Sequence, residues 1–453
     1  MTRLGRRPWM AAFCMVVTAG CGAAERGRYF FTAGDGVHGT EMWSSDGTAE
    51  GTVMVEDVAP GAESPTFGGS ARVASDLYFV VSAPSRQLWK TDGTPQGTAL
   101  VRDFGPAETS RDRTLYTPVG LTGVGRRLFF RLDDGAHGQE LWLSDGTSDG
   151  TRLVADLVPG RAGPSIGDLA ELGDRAFFSS SLSVLHALYQ SDGTEAGTFE
   201  VLRNAEAFDL MAAGRSLLLT GTRSVLRSDG TSAGTRTLKT FESPWSVSFA
   251  PVSTATGSRV FFVAREGLGA YDMQRNELWM AEGTPARTTR LKLFEGGDSA
   301  VQLMAAGDRL FFVVAHAALV APNTLHFTSE LWTSDGTEAG TVRVRPLPSG
   351  VRTVARAGGR FFFVLNGGLL SRGYQEVLVG NRATQELWTS DGTEAGTQPL
   401  HRSGWIERLE DVDGALFFRA GATAGDLQLR SLDVWKSDGT ASGTVLVHAF
   451  GAR

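Results

Sequence analysis

The sequence predicts an all-β fold: a β-propeller of eight to nine four-stranded antiparallel blades, preceded by a signal peptide. Three observations carry that expectation. The phrase Glu-Leu-Trp-x-Ser-Asp-Gly-Thr-x-x-Gly-Thr recurs in more or less worn form nine times in 453 residues. Its Asp-Gly-Thr core falls at Asp46, Asp92, Asp145, Asp192, Asp229, Asp335, Asp391 and Asp438, with a Glu-Gly-Thr copy at Glu282. Successive copies lie 46, 53, 47, 37, 53, 53, 56 and 47 residues apart, and a period near that length marks one supersecondary unit used repeatedly. Each unit holds four short apolar runs, and a large side chain returns at one fixed slot.

The third unit shows how a repeat folds. Leu121-Thr-Gly-Val124 leads through Gly125-Arg126 to Leu128-Phe-Phe-Arg131, which reads as strand, turn, strand. The loop Asp133-Asp-Gly-Ala-His-Gly138 delivers a third strand, Glu140-Leu-Trp-Leu143. The turn Ser144-Asp-Gly-Thr-Ser-Asp-Gly-Thr151 then reverses the chain into Arg152-Leu-Val-Ala-Asp156. Four such strands make a propeller blade. Apolar residues are sequence neighbours within them, as in Phe129-Phe130 and Leu141-Trp142. Neighbours on a strand point to opposite faces, so both faces must be covered, as in a blade stacked between two others.

Seven of the ten tryptophans fill the same slot: Trp43, Trp89, Trp142, Trp279, Trp332, Trp388 and Trp435, with Tyr189 and Leu226 in units four and five. One large ring at a fixed point of each blade suits inter-blade packing, worth roughly 2–3 kcal/mol per residue buried. The Asp-Gly-Thr turns read as structural. Asp and Thr side chains bond nearby amides and glycine supplies positive φ, whereas calcium wants six to eight oxygens and each loop offers one obligatory carboxylate. No metal or other cofactor is expected. Two units put the blade number in question. Unit one lacks an obvious first strand before Tyr29, and unit five, the shortest, is a candidate for an incomplete blade.

The N-terminus reads as a separate object. Arg3, Arg6 and Arg7 precede an uncharged apolar run from Pro8 to Gly20, the plan of a secretory signal and too short to span a bilayer. Ala19-Gly20-Cys21 resembles a bacterial lipobox, which makes Cys21 the expected lipidation site; Thr18 departs from the bulky aliphatic residue usual at its start. Residues 1–21 are thus read as signal peptide, 22–28 as linker and 29–453 as propeller. Both cysteines, Cys14 and Cys21, lie in this leader, so the body is expected to hold together without disulfides. A net charge of −7 argues against nucleic acid, which needs a basic face.

Glu140-Leu-Trp-Leu-Ser-Asp-Gly-Thr147, Glu330-Leu-Trp-Thr-Ser-Asp-Gly-Thr337 and Glu386-Leu-Trp-Thr-Ser-Asp-Gly-Thr393 resemble the ELWxxDGT repeat family of bacterial secreted proteins. The resemblance covers nearly all of the chain after the leader. It implies the repeat architecture but no activity and no catalytic residues, because the family is defined by its repeat. Units four, five and six depart from the motif at Ala187, Ser224 and Glu282.

A site is expected on one face of the disc. Asp-Gly-Thr turns emerge on one side and change little from unit to unit. Second-to-third loops and blade connections emerge on the other, and the loops lengthen in units six to nine: Ala264 to Asn276, Ala315 to Ser329, Leu365 to Gln385 and Ala420 to Leu432. Variable loops on a rigid scaffold usually carry function. Trp245 and Trp405, in or near blade connections, are candidate ligand contacts, with Tyr271 and Tyr374 on the long loops. The competing reading is that the two tryptophans cover core beneath the loops. His38 and His137, each in an Asp-Gly-x-His-Gly loop, read as shared ancestry, and Asp133-Asp134 as a solvated pair. No nucleophile elbow, phosphate loop, zinc-spaced cluster or dinucleotide fingerprint occurs. The sequence therefore favours an exported monomeric binding or adhesion scaffold, tied to the membrane only through a lipid and recognising glycan or protein. A structural envelope component and a polysaccharide-acting propeller hydrolase or lyase are the alternatives.

Overall fold

In a computed structural model, the described residues are 27–450, apart from 84, 107–116, 162, 183–184, 204–208, 243–244, 248–251, 255–256, 258, 267–274, 296–298, 322–323, 367–368, 373–374, 379–383 and 423–431. They form nine antiparallel sheets, each drawn in the main from one sequence repeat. Blade 3 is typical, with strands Val119–Val124, Arg127–Asp133, Gln139–Ser144 and Arg152–Ala155 paired in chain order. The remaining blades span 29–56, 66–106, 165–203, 209–240, 245–294, 299–347, 351–403 and 405–448. The short fifth unit completes its blade with Asp209–Ala213, Ser216–Thr220, Ser224–Ser228 and Arg236–Thr240, so the blades number nine and not eight. Blade 1 has three strands among the described residues, Tyr29–Gly34, Thr40–Ser45 and Val53–Glu56.

The ring closes through its core. Among the described residues, nine apolar clusters each join two consecutive blades, and the last joins blade 9 to blade 1 through Val412, Phe417, Val434 and Phe450 against Tyr29, Phe31 and Ala33. The doublets predicted to be covered on both sides are covered: Phe129 and Phe130 are both fully buried and belong to different interfaces. The tryptophan slot sits at these junctions. Trp142 stacks on Phe130 of its own blade, centroids 6.4 Å apart, and meets Phe104 of blade 2 edge-on at 6.1 Å. Trp279 and Trp332 repeat the arrangement with Phe241 and Phe294, and Trp43 does so across the closure with Phe450. Every blade has a register shift between its slot residue and the residue before it in pairing with the fourth strand, as at Leu141/Trp142. A bulge there bends and twists the outer strand.

Two departures from regularity lie in blades 6 to 8. In blade 6, Trp245–Val247 and Val252–Ser253 both pair with Val260–Glu266 in place of one continuous first strand. In blade 7 the expected long loop is instead a continuation of its two strands, Arg309–Ala321 and Thr324–Ser334. The long loop of blade 8 contributes a hairpin, Leu369–Arg372 with Gln375–Leu378, which joins the blade 7 sheet through Thr324↔Arg372 and Leu325↔Ser371. Sequence length marked these segments as elaborated; the pairing turns them into a six-stranded composite sheet. Among the described residues no helix is long and apolar enough to cross a membrane.

Candidate functional site

Antiparallel strand order puts the first-to-second and third-to-fourth turns on one face, and the second-to-third loops with the blade connections on the other. The first face is locked by its own side chains. In blade 3, Asp145 Oδ1 accepts from the Thr147 amide (2.9 Å) and hydroxyl (2.7 Å), while Thr147 Oγ1 accepts from the Gly150 amide (3.0 Å). Ser144 and Thr151 hydroxyls meet at 2.7 Å, Ser144 Oγ accepts from Gly146 N–H, and Thr151 donates to Thr147 O. Each polar letter of the repeat phrase therefore has a backbone group to satisfy. The Thr147 hydroxyl and amide hold the Asp145 carboxyl below its ordinary range, and the equivalent threonines do the same at Asp192, Asp229, Asp335 and Asp438.

The second glycine has a specific cause. A Cβ at Gly150 would lie 2.0 Å from Asp145 Oδ1, and seven other blades show a clash of the same kind. Blade 6 carries Glu282 in place of the aspartate, and Arg287 stands where the glycine would be; a short 3-10 turn, Pro285–Arg287, replaces the network. Aspartate and glycine are lost together. Among the described residues no group of three His, Cys, Asp or Glu converges as a metal site.

The motif glutamate also has a partner. Trp279, Trp332 and Trp388 donate their indole N–H to Glu277, Glu330 and Glu386, two residues earlier on the same strand face, at 3.0–3.1 Å. In blades 1 and 3 the carboxylate turns elsewhere. Glu41 accepts from the Val58 and Ala59 amides and Glu140 from that of Val158, in the connections that leave each blade.

On the variable face, Trp245 and Trp405 are not connection residues but open the first strands of blades 6 and 9, where they pair with Glu266 and Gly421 at the ends of the second strands. Both are half-buried. Trp245 packs on the cluster between blades 5 and 6, with the Arg275 guanidinium 6.0 Å from its ring. Trp405 donates to Glu407 (2.9 Å), and Arg352 of blade 8 lies 3.8 Å over its ring while also donating to Ile406 O (2.8 Å). One ring face of Trp405 is thus covered by a guanidinium. Tyr271, Tyr374 and Cys21 lie outside the described residues, as does the whole leader.

The Asp-Gly-x-His-Gly loops of blades 1 and 3 adopt one geometry. Asp35 Oδ1 accepts from the amides of Val37 and His38 and its Oδ2 meets His38 Nδ1 at 2.7 Å; Asp134 does the same with Ala136 and His137, at 2.8 Å. These hydrogen bonds to aspartate push both imidazoles up from the usual histidine range. The likeness read as ancestry is a likeness of conformation.

No protein-family model matches the chain, and no curated protein matches it in sequence. Solved structures similar to it include Saccharomyces cerevisiae Sqt1, at 12% identity over 83% of this chain and 93% of that one with a TM-score of 0.43. An oligogalacturonate lyase in complex with manganese matches at 10% identity over 61% and 74%, TM-score 0.40. The β-propeller domain of the Trilobed protease from Pyrococcus furiosus, described as having an open velcro topology, matches at 13% over 75% and 97%, TM-score 0.36. At this distance no chemistry transfers from any of them.

Proposed function

We propose that the protein is an exported, non-catalytic binding scaffold of the bacterial cell envelope, tethered by a lipid at Cys21, which meets a glycan or protein on its variable-loop face. One observation carries the reading: the two faces of the ring are built to different rules. The Asp-Gly-Thr face repeats one hydrogen-bonded turn in eight blades. The opposite face departs from the repeat in neighbouring blades, with the extended strands of blade 7 and the blade 8 hairpin laid beside them. A rigid ring with one elaborated side offers a preorganised platform, which lowers the entropic cost of association.

The test is a pulldown from envelope fractions together with a glycan array, comparing wild type with a variant whose 316–328 hairpin is shortened to a tight turn. Saturable binding that drops at least about tenfold, a loss of some 1.4 kcal/mol, supports the reading. Equal binding by the two proteins removes that surface from the site, and turnover of any arrayed polysaccharide removes the non-catalytic part. Trp245→Ala and Trp405→Ala, measured alongside, report whether the two tryptophans share in contact.

A further inference from the structure

The two blades with an Asp-Gly-x-His-Gly loop share a second feature. Residues directly opposite on neighbouring antiparallel strands stand about 4.5–5.5 Å apart, and like charges there repel. The pair Met42↔Glu56 places Glu41 opposite Asp57, and Leu141↔Ala155 places Glu140 opposite Asp156. The same slot is neutral or complementary in other blades. Gln87 donates to Asp103 at 3.1 Å, Glu386 pairs with Arg402 at 3.3 Å, Ala187 faces Arg203 and Glu330 faces Pro346. Both motif glutamates are fully buried, and each acid pair has a buried oxygen that receives no hydrogen bond, Glu140 Oε2 in blade 3 and Asp57 Oδ1 in blade 1. Two buried carboxylates at this separation cannot both ionise cheaply.

We propose that the pairs Glu41–Asp57 and Glu140–Asp156 each hold one shared proton, and that its release loosens the loop and connection of blades 1 and 3 on the variable face. The proton passes to solvent base and leaves two carboxylates; no other bond changes. Glu140 faces Asp156 on the fourth strand and His137 on the loop, and Glu41 faces Asp57 and His38 in the same way. Burial, with the neighbouring aspartate adding to it, pushes the Glu140 carboxyl up to about 7 and raises that of Glu41.

The sign is the same for both kinds of group. An acid whose folded pKa is raised weakens the fold as pH climbs from its unfolded value towards its folded one, here from 4.5 to about 7 for Glu140. A histidine raised by its aspartate stabilises below its ordinary 6.5, and that contribution disappears as pH rises through the folded value. Alkaline conditions therefore remove the shared proton and the His137–Asp134 ion pair together. What gives way is local, because Glu140 anchors the Val158 amide and Glu41 those of Val58 and Ala59.

Hydrogen exchange on the full chain tests this, at about pH 5.5 and about pH 8 with intrinsic rates corrected. Peptides covering 134–140 with 156–160, and 35–41 with 57–61, should lose protection about tenfold at the higher pH, while the blade 8 peptides around Glu386 and Arg402 stay level. Glu140→Gln and Glu41→Gln each keep an acceptor for the connection amides and supply a permanent donor to the aspartate, so each should abolish the response in its own blade only. A pH-independent wild type overturns the proposal, as does an unchanged response in the glutamine variants. Calcium abolishing the response in wild type would overturn it too, by putting a cation where the proton is assigned.

Discussion

Lys239 on the outer strand of blade 5 stands over the indole of Trp279 in blade 6, its Nζ 4.6 Å from the ring centroid. The relation repeats around the ring. Lys292 covers Trp332, Arg345 covers Trp388 and Arg102 covers Trp142, in each case from one blade to the next. A cation over a partly desolvated indole contributes about 0.5–2 kcal/mol. Lys239→Met keeps the aliphatic cover and removes the charge, so it should lower unfolding free energy by about 1 kcal/mol. Urea melts of wild type and variant check this; a difference indistinguishable from zero would show that the stem alone matters.

Blade 8 places an imidazole in the same role. His401 lies 4.2 Å from the Trp435 ring, and burial pushes its pKa below the ordinary 6.5. A depressed histidine favours the fold above its unfolded pKa and loses that contribution as pH falls below it towards the folded value. Thermal stability should therefore decline on acidification below about 6.5. His401→Gln should flatten that part of the profile without lowering stability at neutral pH, as read from melting curves at a series of pH values.

The slot itself can be divided into ring and N–H. Trp142 is nearly buried, and its indole nitrogen has no hydrogen-bond partner. Trp142→Ala should cost about 3–5 kcal/mol. Trp142→Phe keeps most of the packing and removes an unsatisfied donor, so it should cost less than about 1.5 kcal/mol. Calorimetry of the two variants separates these effects, and equal losses would mean that the indole N–H has a partner after all.

Sequence periodicity made the blades legible because each consensus residue answers to its own turn or strand: Asp145, Thr147 and Gly150 touch one another within one hairpin. What joins one blade to the next was less legible. Lys239 and Trp279 belong to different repeats, and nothing local ties a basic residue on one outer strand to a ring on the following one. The acid pairs were hidden for a related reason. Glu140 and Asp156 become opposite only once the hairpin register is known. Trp245 and Trp405 were placed in connections because their flanking Ser, Pro and Gly read as loop, whereas pairing with Glu266 and Gly421 draws both into strands. Loop length located the elaborated blades but did not show that the blade 8 insertion would pair with blade 7.

The aspartate and second glycine of the turn form the most direct test of the repeat phrase. With Gly150 as alanine, the new methyl meets Asp145 Oδ1 far inside van der Waals distance, and relieving it means breaking the bonds to Thr147. Gly150→Ala should therefore destabilise by about 1–3 kcal/mol. Asp145→Ala removes the obstacle along with its hydrogen bonds, so alanine at 150 should cost much less in that background, with a positive interaction energy of about 1 kcal/mol or more in the double-mutant cycle. Blade 6 supplies the natural control, since Arg287 already occupies that position where no aspartate is present. Arg287→Gly should accordingly bring no gain in stability, and strict additivity at 145 and 150 would show that the glycine is there for another reason.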